Sequence, residues 1–200
     1  MSYHDSLPQI KRLLSEISAV FPPRVLEVGI LDGISFITLA AWMRFSLPTF
    51  ALYGIDVIIK EHVKIIVNLL EPTLAQDIKV ITGSSLDVMP KMIDGNFQFD
   101  LIMLDGDHNY HTVSNDLSNS LKLLSPNGVI IVDDYHGKYE TTDMWYSEAE
   151  AWSSLCAARV ETEKHGVKTA VDDFISDHPE LVLEDSVTRS LAAVIKYRKD

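Results

Sequence analysis

The sequence lacks the features that mark membrane-spanning, secreted and disulfide-stabilised proteins. It contains no uninterrupted apolar run of about 18 residues, the length that a membrane-spanning helix needs. Its first residues lack the basic region and the apolar run of a signal peptide. The single cysteine, Cys156, excludes an internal disulfide and a cysteine-based zinc cluster. We therefore expect a cytoplasmic protein without a membrane partner.

Positive charge is also scarce. The chain has 17 Lys and Arg against 29 Asp and Glu, which gives a formal net charge of -12. Binding to a nucleic-acid backbone needs a basic patch, and none is visible in the sequence. We expect no nucleic-acid partner, and a small molecule is the default ligand. The sequence leaves the oligomeric state open, a homodimer included.

Short apolar runs alternate with amphipathic stretches, a pattern typical of α/β proteins with a parallel sheet. The apolar runs predict strands over 24–28, 51–55, 78–82, 101–104 and 128–132. Helical spacing of apolar residues predicts helices through 36–43, 62–70, 86–89, 113–124 and 167–175. A final antiparallel pair of strands is expected over 181–183 and 191–197. With 200 residues, of which 46% are hydrophobic, the chain can bury the core of one domain.

An amphipathic helix is predicted at the beginning of the chain, over residues 6–20. Its apolar positions are Ile10, Leu13, Leu14 and Ile17, which recur at helical spacing before two prolines. Such a helix would lie over the core or over a partner. A substrate lid is the functional alternative, and the sequence does not separate the two.

A glycine turn follows the first predicted strand. Glu27, Gly29 and Gly33 form the pattern ExGxxxG between that strand and the next helix. Glycines let a ligand approach the backbone, and the free amides at the start of a helix face it. This order of elements suits a nucleotide-type ligand, although an ordinary tight turn between strand and helix would give the same pattern.

The second predicted strand ends on Asp56, 23 residues after Gly33. A carboxylate at this point can accept hydrogen bonds from both hydroxyls of a ribose. The turn departs from GxGxxG, and Glu27 would be unfavourable beside phosphates. The pattern therefore favours a cofactor with adenosine and an amino-acid tail over a dinucleotide. Ser84 and Ser85, after the third strand, would either donate to an adenine edge or cap the next helix.

Acidic residues follow two further strands at the points where the strands end. Asp105, Asp107 and His108 come directly after one buried strand, and Asp133 and Asp134 follow the other. The carboxyl ends of neighbouring parallel strands meet at one edge of the sheet, where ligands bind in such folds. The carboxylates would repel one another there without a cation. A hard divalent metal, which takes oxygen ligands, is the simplest remedy.

Aromatic and charged residues mix without a clear period over 135–152. The aromatic residues are Tyr135, Tyr139, Trp145, Tyr146 and Trp152. They would form either the wall of a substrate pocket or the packing of one last long helix.

With these motifs, the chain resembles the class I S-adenosylmethionine-dependent methyltransferases, and within them the small divalent-metal-dependent O-methyltransferases. The similarity extends over 24–197 and rests on VLEVGILDGIS, YGID, LDGDHNY, VIIVDDYHG and GVKTAVDDF. The spacing of DGDH and DDY is most similar to bacterial O-methyltransferases that act on sugars, and less so to the catechol and caffeoyl-coenzyme A enzymes. The implied fold is α/β, with a Rossmann-like, doubly wound, mostly parallel seven-stranded sheet and an antiparallel C-terminal strand.

The resemblance also implies two cofactors, S-adenosylmethionine and Mg²⁺ or a similar divalent cation. The implied S-adenosylmethionine contacts are Glu27, Gly29 and Gly33 for the methionine end, Asp56 for the ribose, Ser84 and Ser85 for the adenine, and Asp105 at the same edge. The implied metal ligands are Asp105, Asp133 and Asp134. The third ligand is usually asparagine in the catechol and caffeoyl enzymes, so Asp134 adds a negative charge.

The general base remains ambiguous between Asp107 and His108. The catechol and caffeoyl enzymes carry a lysine where this chain has His108, whereas the sugar enzymes are thought to use the second aspartate of DGD, here Asp107. A metal-bound hydroxyl has a lowered pKa, so either residue would be basic enough to remove its proton. We predict that Asp107 is the base.

The expected organisation is one methyltransferase domain over 1–200. An N-terminal helix or lid would occupy 1–22, the cofactor and metal core 24–135, and C-terminal helices with a strand pair 136–200. The expected substrate is a small-molecule hydroxyl, as in a sugar diol or a catechol, because two neighbouring oxygens can chelate the ion. The alternative is a Rossmann-like nucleoside-binding protein, non-catalytic or differently catalytic, with an acidic metal site.

Overall fold

The computed structural model describes residues 7–18, 22–70, 76–148, 152, 154–184 and 192–198. Seven strands in this part of the chain form one sheet in the order 3-2-1-4-5-7-6. The strands are β1 (Arg24–Val28), β2 (Phe50–Asp56), β3 (Gln76–Thr82), β4 (Phe99–Leu104), β5 (Leu124–Val132), β6 (Leu181–Leu183) and β7 (Ala193–Tyr197). Strands β1 to β5 pair in parallel, and β7 runs antiparallel to both β5 and β6.

Among the described residues, six α-helices cover the two faces of this sheet. They are α1 (Leu7–Ser18), α2 (Ile34–Ser46), α3 (Glu61–Leu70), α4 (Ser85–Asp94), α5 (Tyr110–Leu123) and α6 (Val167–Asp177). Buried side chains of α1, α2 and α3 form one apolar cluster with the sheet, and those of α4, α5 and α6 form a second. The predicted doubly wound, mostly parallel fold is therefore confirmed. None of the helices in the described chain is long and apolar enough to cross a membrane.

The strand register places the loops that follow β1, β2, β4 and β5 side by side. Val28 at the end of β1 pairs with Ile55 on one side and Leu104 on the other, and Leu104 also pairs with Val132. Four parallel strands thus end at the same level. Polar residues that follow these strands are brought to one edge of the sheet, as the sequence predicts.

The first helix packs on the core. Ile10 and Leu14 of α1 are buried in the same cluster as Val25 and Leu101 of the sheet. The described part of α1 therefore lies over the core, with its buried side chains packed into the sheet cluster. The predicted ends of this helix, residues 6 and 19–20, lie outside the described residues.

Two segments differ from the sequence-based expectations. Strand β5 begins at Leu124 and not at Gly128, because Leu124 pairs with Phe99 before a register shift. Leu124, predicted as part of the preceding helix, therefore belongs to the sheet, and α5 ends at Leu123. The alternative of a long helix through Tyr135–Trp152 is wrong for the described residues, which form turns and a single 3₁₀ turn at Tyr146–Glu148. The predicted start of the last strand, residue 191, lies outside the described part of the chain.

Candidate functional site

A cleft with an empty volume of about 590 Å³, its open mouth included, lies at the carboxyl ends of the parallel strands. Its walls come from the loops after β1, β2, β3 and β4 and from the segment that follows β5. The predicted site residues on its lining are Gly29, Asp56, Ser84, Ser85, Asp105 and Asp107. The other predicted site residues, which do not line it, are Glu27, Gly33, His108, Asp133 and Asp134.

Gly29 allows the ends of β1 and β4 to approach each other closely. Its φ is +87°, a conformation that L side chains rarely adopt, and a Cβ added there would lie 1.9 Å from the carbonyl oxygen of Asp105. Gly33 also has a positive φ, but an added Cβ would meet the Val63 side chain of α3, 2.6 Å away. Gly29 therefore shapes the cleft floor directly, while Gly33 permits α2 to pack against α3.

Glu27 lies inside the protein beneath this turn. Its carboxyl group is fully buried, Oε1 accepts a hydrogen bond from the Ser35 hydroxyl, and Oε2 has no partner among the described residues. Burial raises the pKa of Glu27 from 4.5 to about 8, against the lowering effect of Ser35 and with the help of the negative charges of Asp105 and Asp56. In this structure Glu27 supports the turn and does not face the cleft.

Replacing Glu27 with glutamine should remove part of the pH dependence of stability. Because its pKa is raised in the folded state, the native protein binds more protons than the unfolded chain between about pH 4.5 and 8, and stability falls as pH rises through that window. Glu27→Gln should therefore be the more stable protein above about pH 8, by on the order of a few kcal/mol. Urea unfolding of the ligand-free protein across this range measures the difference.

Glu61→Gln is the matched control for this prediction, because the Glu61 side chain is 78% exposed. Its unfolding free energy should stay within about 1 kcal/mol of that of the wild type, since it loses only an exposed ion pair with Lys64. A Glu27→Gln curve parallel to the wild-type curve would show that the Glu27 carboxyl group does not titrate in this window.

Asp56 organises the loop between β1 and α2. Its Oδ2 accepts hydrogen bonds from the backbone N–H groups of Ile30 and Leu31, at 2.7 and 2.8 Å, and its Oδ1 accepts one from Ile58 at 3.0 Å. A carboxylate has about four acceptor positions, so roughly one remains for a ligand in the cleft. The predicted contact with a ribose thus competes with a structural role of the same carboxylate.

A group of side chains that could hold a metal ion lies beside the cleft. Asp105, His108 and Asp133 each offer one ligand atom, and these atoms lie within 4.8 Å of one another. Nε2 of His108 is 3.3 Å from Oδ1 of Asp105 and 3.6 Å from Oδ2 of Asp134. The structure thus places His108, which the sequence suggested as a base, among the predicted metal ligands. Carboxylate oxygens with one imidazole nitrogen are a donor set that suits a divalent cation.

The electrostatics of this group also favour a cation. Burial, followed by repulsion from Asp105 and Asp134, raises the pKa of Asp133 to about 7. Burial likewise raises the pKa of Asp105, although His108 partly opposes the shift. For His108, burial disfavours the charged ring, but the hydrogen bond to Asp105 and the three negative charges raise its pKa above 6.5. Crowded carboxylates of this kind are stabilised by a positive ion.

Asp107 lines the cleft and is held by the segment after β5. Its Oδ1 accepts a hydrogen bond of 2.9 Å from the backbone N–H of Tyr146. Burial raises the pKa of Asp107 above its ordinary value, which makes the carboxylate a better proton acceptor. His108, in contrast, packs against Tyr139, and its Nδ1 is buried without a partner among the described residues.

Two aromatic residues of the segment after β5 form part of the cleft wall. Tyr146 and Trp152 both line it, with ring centroids 5.7 Å apart. Burial, with the nearby charge of Asp105, raises the pKa of Tyr146 to about 12, so the phenol stays protonated. The expectation of an aromatic pocket wall holds for these two, whereas Tyr135 and Trp145 are buried away from the cleft lining.

Sequence reasoning missed the polar residues of α5 under the cleft. Thr112 lines the cleft, Asp116 bonds to Ser85, and Ser120 continues the same stripe one turn later; all three are buried. The signal was present in the sequence, because these residues recur every four positions beside the apolar stripe of the same helix.

Known proteins that are similar to this chain in sequence pattern or fold are methyltransferases. A family model described as a methyltransferase domain matches residues 26–135, more than half of the chain. No curated protein matches the sequence. Among solved structures, the fold is similar to that of MycE, a methyltransferase from the mycinamycin biosynthetic pathway in complex with Mg, SAH and mycinamycin VI, with 20% identity and a TM-score of 0.60.

That match covers 96% of this chain and 49% of MycE, so the chain spans about half the length of this relative. CalS11, a TDP-rhamnose 3'-O-methyltransferase of calicheamicin biosynthesis, matches at 14% identity and a TM-score of 0.66, covering 98% of this chain and 80% of that one. TomG from Streptomyces achromogenes, in complex with SAM, matches at 19% identity and a TM-score of 0.57, covering 96% and 80%.

These identities show a shared fold, and the family model covers the segment that holds the glycine turn, Asp56, the DGDH motif and the first residues after β5. The acidic group and most of the cleft lining lie within this segment, and Tyr146, Trp152, Cys156 and Ala157 of the lining follow it. The chain belongs to the methyltransferase domain family.

Proposed function

We propose that this protein is an S-adenosylmethionine-dependent O-methyltransferase that acts on a small-molecule hydroxyl chelated by Mg²⁺ or a similar divalent cation. A single observation carries the proposal: Asp105 belongs both to the cleft lining and to the group that could hold a metal ion. A cofactor in the cleft and an ion on the carboxylates would therefore be neighbours. The structure of MycE contains both Mg and SAH, and this supports an ion next to the cofactor in the present protein.

The residues around the cleft suit the parts of S-adenosylmethionine. The backbone at Gly29 would face the methionine end, Asp56 the ribose, and Ser84 and Ser85 the adenine, with Asp105 at the edge shared with the ion. Glu27 and Gly33 would act through the turn that they support, since neither lines the cleft. S-adenosylmethionine supplies an electrophilic methyl group, and a divalent ion lowers the pKa of a hydroxyl that it binds.

The substrate class we infer is a vicinal diol, such as a sugar diol or a catechol, because two neighbouring oxygens can chelate one ion. CalS11, whose fold is similar, is a TDP-rhamnose 3'-O-methyltransferase. Tyr146 and Trp152 would cover the reacting groups and exclude water from them.

Methylation of a hydroxyl releases a proton, and Asp107 is the residue that we expect to accept it. The Asp107 carboxylate would accept the proton of the substrate hydroxyl, whose oxygen would take the methyl group that bound S-adenosylmethionine supplies, and S-adenosylhomocysteine would leave. Asp107 suits this role because it lines the cleft and its pKa is raised. His108 lies farther back, beside Asp105 and Asp134, where it would assist the ion site.

Single-turnover methyl transfer from S-adenosylmethionine to a confirmed diol substrate, at saturating Mg²⁺, tests this chemistry. Asp107→Asn should slow the transfer on the order of a hundredfold or more, the scale of removing a general base. His108→Gln should retain the pH dependence of the transfer step even if its affinity for Mg²⁺ falls. A large loss in His108→Gln with near-normal transfer in Asp107→Asn would assign the base to His108. Transfer by the wild type to an isolated hydroxyl but to no vicinal diol would overturn the substrate class, and transfer to no hydroxyl at all would overturn the O-methyltransferase proposal.

A further inference from the structure

A short segment between β5 and α6 runs beside the residue that we expect to accept the substrate proton. We call residues 143–146 the strap. The backbone N–H of Met144 donates to the carbonyl oxygen of His108 at 2.9 Å, in an antiparallel bridge. The backbone N–H of Tyr146 donates to Oδ1 of Asp107 at 2.9 Å. The strap therefore holds one oxygen of the Asp107 carboxylate, and the other oxygen, Oδ2, is left to meet a substrate proton.

Asp143 fastens the other end of the strap. Its side chain is 10% exposed, and its Oδ1 accepts hydrogen bonds from the backbone N–H groups of Tyr110 and Gly166, both at 2.8 Å. Its Oδ2 lies 2.7 Å from Nδ1 of His165. Tyr110 is the first residue of α5, and Gly166 directly precedes α6. One carboxylate thus joins the strap to the beginnings of two helices.

The surroundings of Asp143 favour an ionised carboxylate. Burial opposes ionisation, but the hydrogen bonds from Gly166, His165 and Tyr110 hold the pKa of Asp143 below its usual value. The positive ends of the two helix dipoles act in the same direction. At neutral pH Asp143 is therefore an acceptor for all of these groups, and the strap has a fixed anchor.

The anchor is close to the proposed proton acceptor along the chain. Asp143 and Tyr146 are three residues apart, and Trp145 between them is buried and stacks on His111, with ring centroids 6.4 Å apart. A shift of the anchor would therefore also move the Tyr146 N–H that holds Asp107. Misplacement of a reacting group by about 1 Å can slow a reaction on the order of a hundredfold.

We propose that Asp143 is a positioning residue that sets the orientation of the Asp107 carboxylate for proton transfer, by holding the strap at the beginnings of α5 and α6. The inference rests on the proposed function, because it needs Asp107 to accept a proton from the substrate. It extends the site to a residue that does not itself line the cleft.

Single-turnover methyl transfer at saturating Mg²⁺, measured per molecule of bound S-adenosylmethionine, tests the proposal. Asp143→Ala removes the acceptor of two backbone N–H groups, so it should slow the transfer about tenfold to a hundredfold. The affinity for S-adenosylmethionine should change by less than about fivefold, because the proposed cofactor contacts lie on other loops. Asp143→Asn can keep an oxygen at the Oδ1 position. It should transfer within about threefold of the wild-type rate, although loss of the anion lowers its midpoint of urea unfolding.

Asp143→Glu separates the position of the carboxylate from its charge. It keeps an anion at both helix dipoles, so it should fold even if Asp143→Ala does not. Its carboxylate lies one methylene farther from the backbone, which should displace the strap and slow the transfer at least about fivefold. Wild-type transfer rates in Asp143→Glu and in folded Asp143→Ala would overturn the inference and leave the proposed function intact.

The Asp107→Asn background shows whether Asp143 acts through Asp107. Residues that act as a unit are not additive, so Asp143→Ala or Asp143→Glu should slow Asp107→Asn by less than about threefold further. If either change costs its full factor in this background, Asp143 acts by another route and the inference is wrong. A purely structural role would lower stability and leave the rate per bound cofactor unchanged.

Asp173→Ala is the matched control. Asp173 also joins α5 to α6, since its Oδ2 accepts from the Tyr110 hydroxyl at 2.8 Å and from Nζ of Lys164 at 2.6 Å, and these bonds do not involve the strap. This variant should keep the wild-type transfer rate. A loss equal to that of Asp143→Ala would trace the effect to the contact between the two helices and overturn the inference. Transfer by the wild type to no hydroxyl would overturn the proposed function and the inference together.

Discussion

Asp133→Ala should lose methyl transfer while it still binds S-adenosylmethionine. Asp133 is one of the three residues whose ligand atoms lie within 4.8 Å of one another, and it does not line the cleft. Loss of a metal ligand should remove several kcal/mol of transition-state stabilisation, or on the order of a thousandfold in kcat/KM. Cofactor affinity should stay within about threefold of the wild type, because Gly29 and Asp56 are untouched. Kinetics with a confirmed substrate and calorimetry with S-adenosylmethionine measure the two quantities.

Two controls accompany this prediction. Asp94→Ala makes the same replacement at an exposed residue at the end of α4, and it should keep full activity. The metal-free Asp133→Ala protein should be no less stable than the wild type, because it loses a half-buried carboxyl group that its neighbours repel. Full activity of the wild type after exhaustive chelation would contradict the assignment of the acidic group as a required metal site.

Gly29→Val should abolish cofactor binding and also weaken the fold. A Cβ at this position would lie 1.9 Å from the Asp105 carbonyl oxygen and 2.4 Å from its carbon, and the backbone φ of +87° is unfavourable for a branched side chain. The ends of β1 and β4 would have to separate. We expect a loss of about 2–5 kcal/mol in unfolding free energy and no detectable binding of S-adenosylmethionine.

Gly106→Ala is the matched control for the fold. Gly106 follows Asp105 in the same loop, but an added Cβ would lie 3.5 Å from its nearest neighbour, the Val28 side chain, which is an ordinary contact. This variant should unfold at nearly the wild-type denaturant concentration. Wild-type stability and cofactor affinity in Gly29→Val would mean that β1 and β4 do not need this close approach.

The sequence was sufficient to predict the sheet edge. Each buried strand is an apolar run, and the run ends where a charged residue begins, so the ends of β2, β4 and β5 could be read directly. Parallel order then brings Asp56, Asp105 and Asp133 together, as the register shows. Local patterning and one topological rule are enough for this part of the site.

The contacts between distant parts of the chain were not predictable in the same way. Asp107 bonds to the backbone of Tyr146, 39 residues away, and Asp143 accepts from the N–H groups of both Tyr110 and Gly166. Such contacts determine the path of the segment after β5, which has no helical or strand periodicity to reveal it. Burial of Glu27 was equally hidden, because its position next to the glycines suggests contact with a ligand.

Thermal unfolding with S-adenosylmethionine against NAD tests the central claim most directly. At about 100 times its dissociation constant, a ligand that binds only the native state adds about 2.7 kcal/mol of stability. S-adenosylmethionine should therefore raise the Tm by about 5–10 °C, with or without Mg²⁺, and NAD should leave it unchanged. The absence of any shift with S-adenosylmethionine under both conditions, or a larger shift with NAD, would contradict the proposal that this cleft holds the methyl donor.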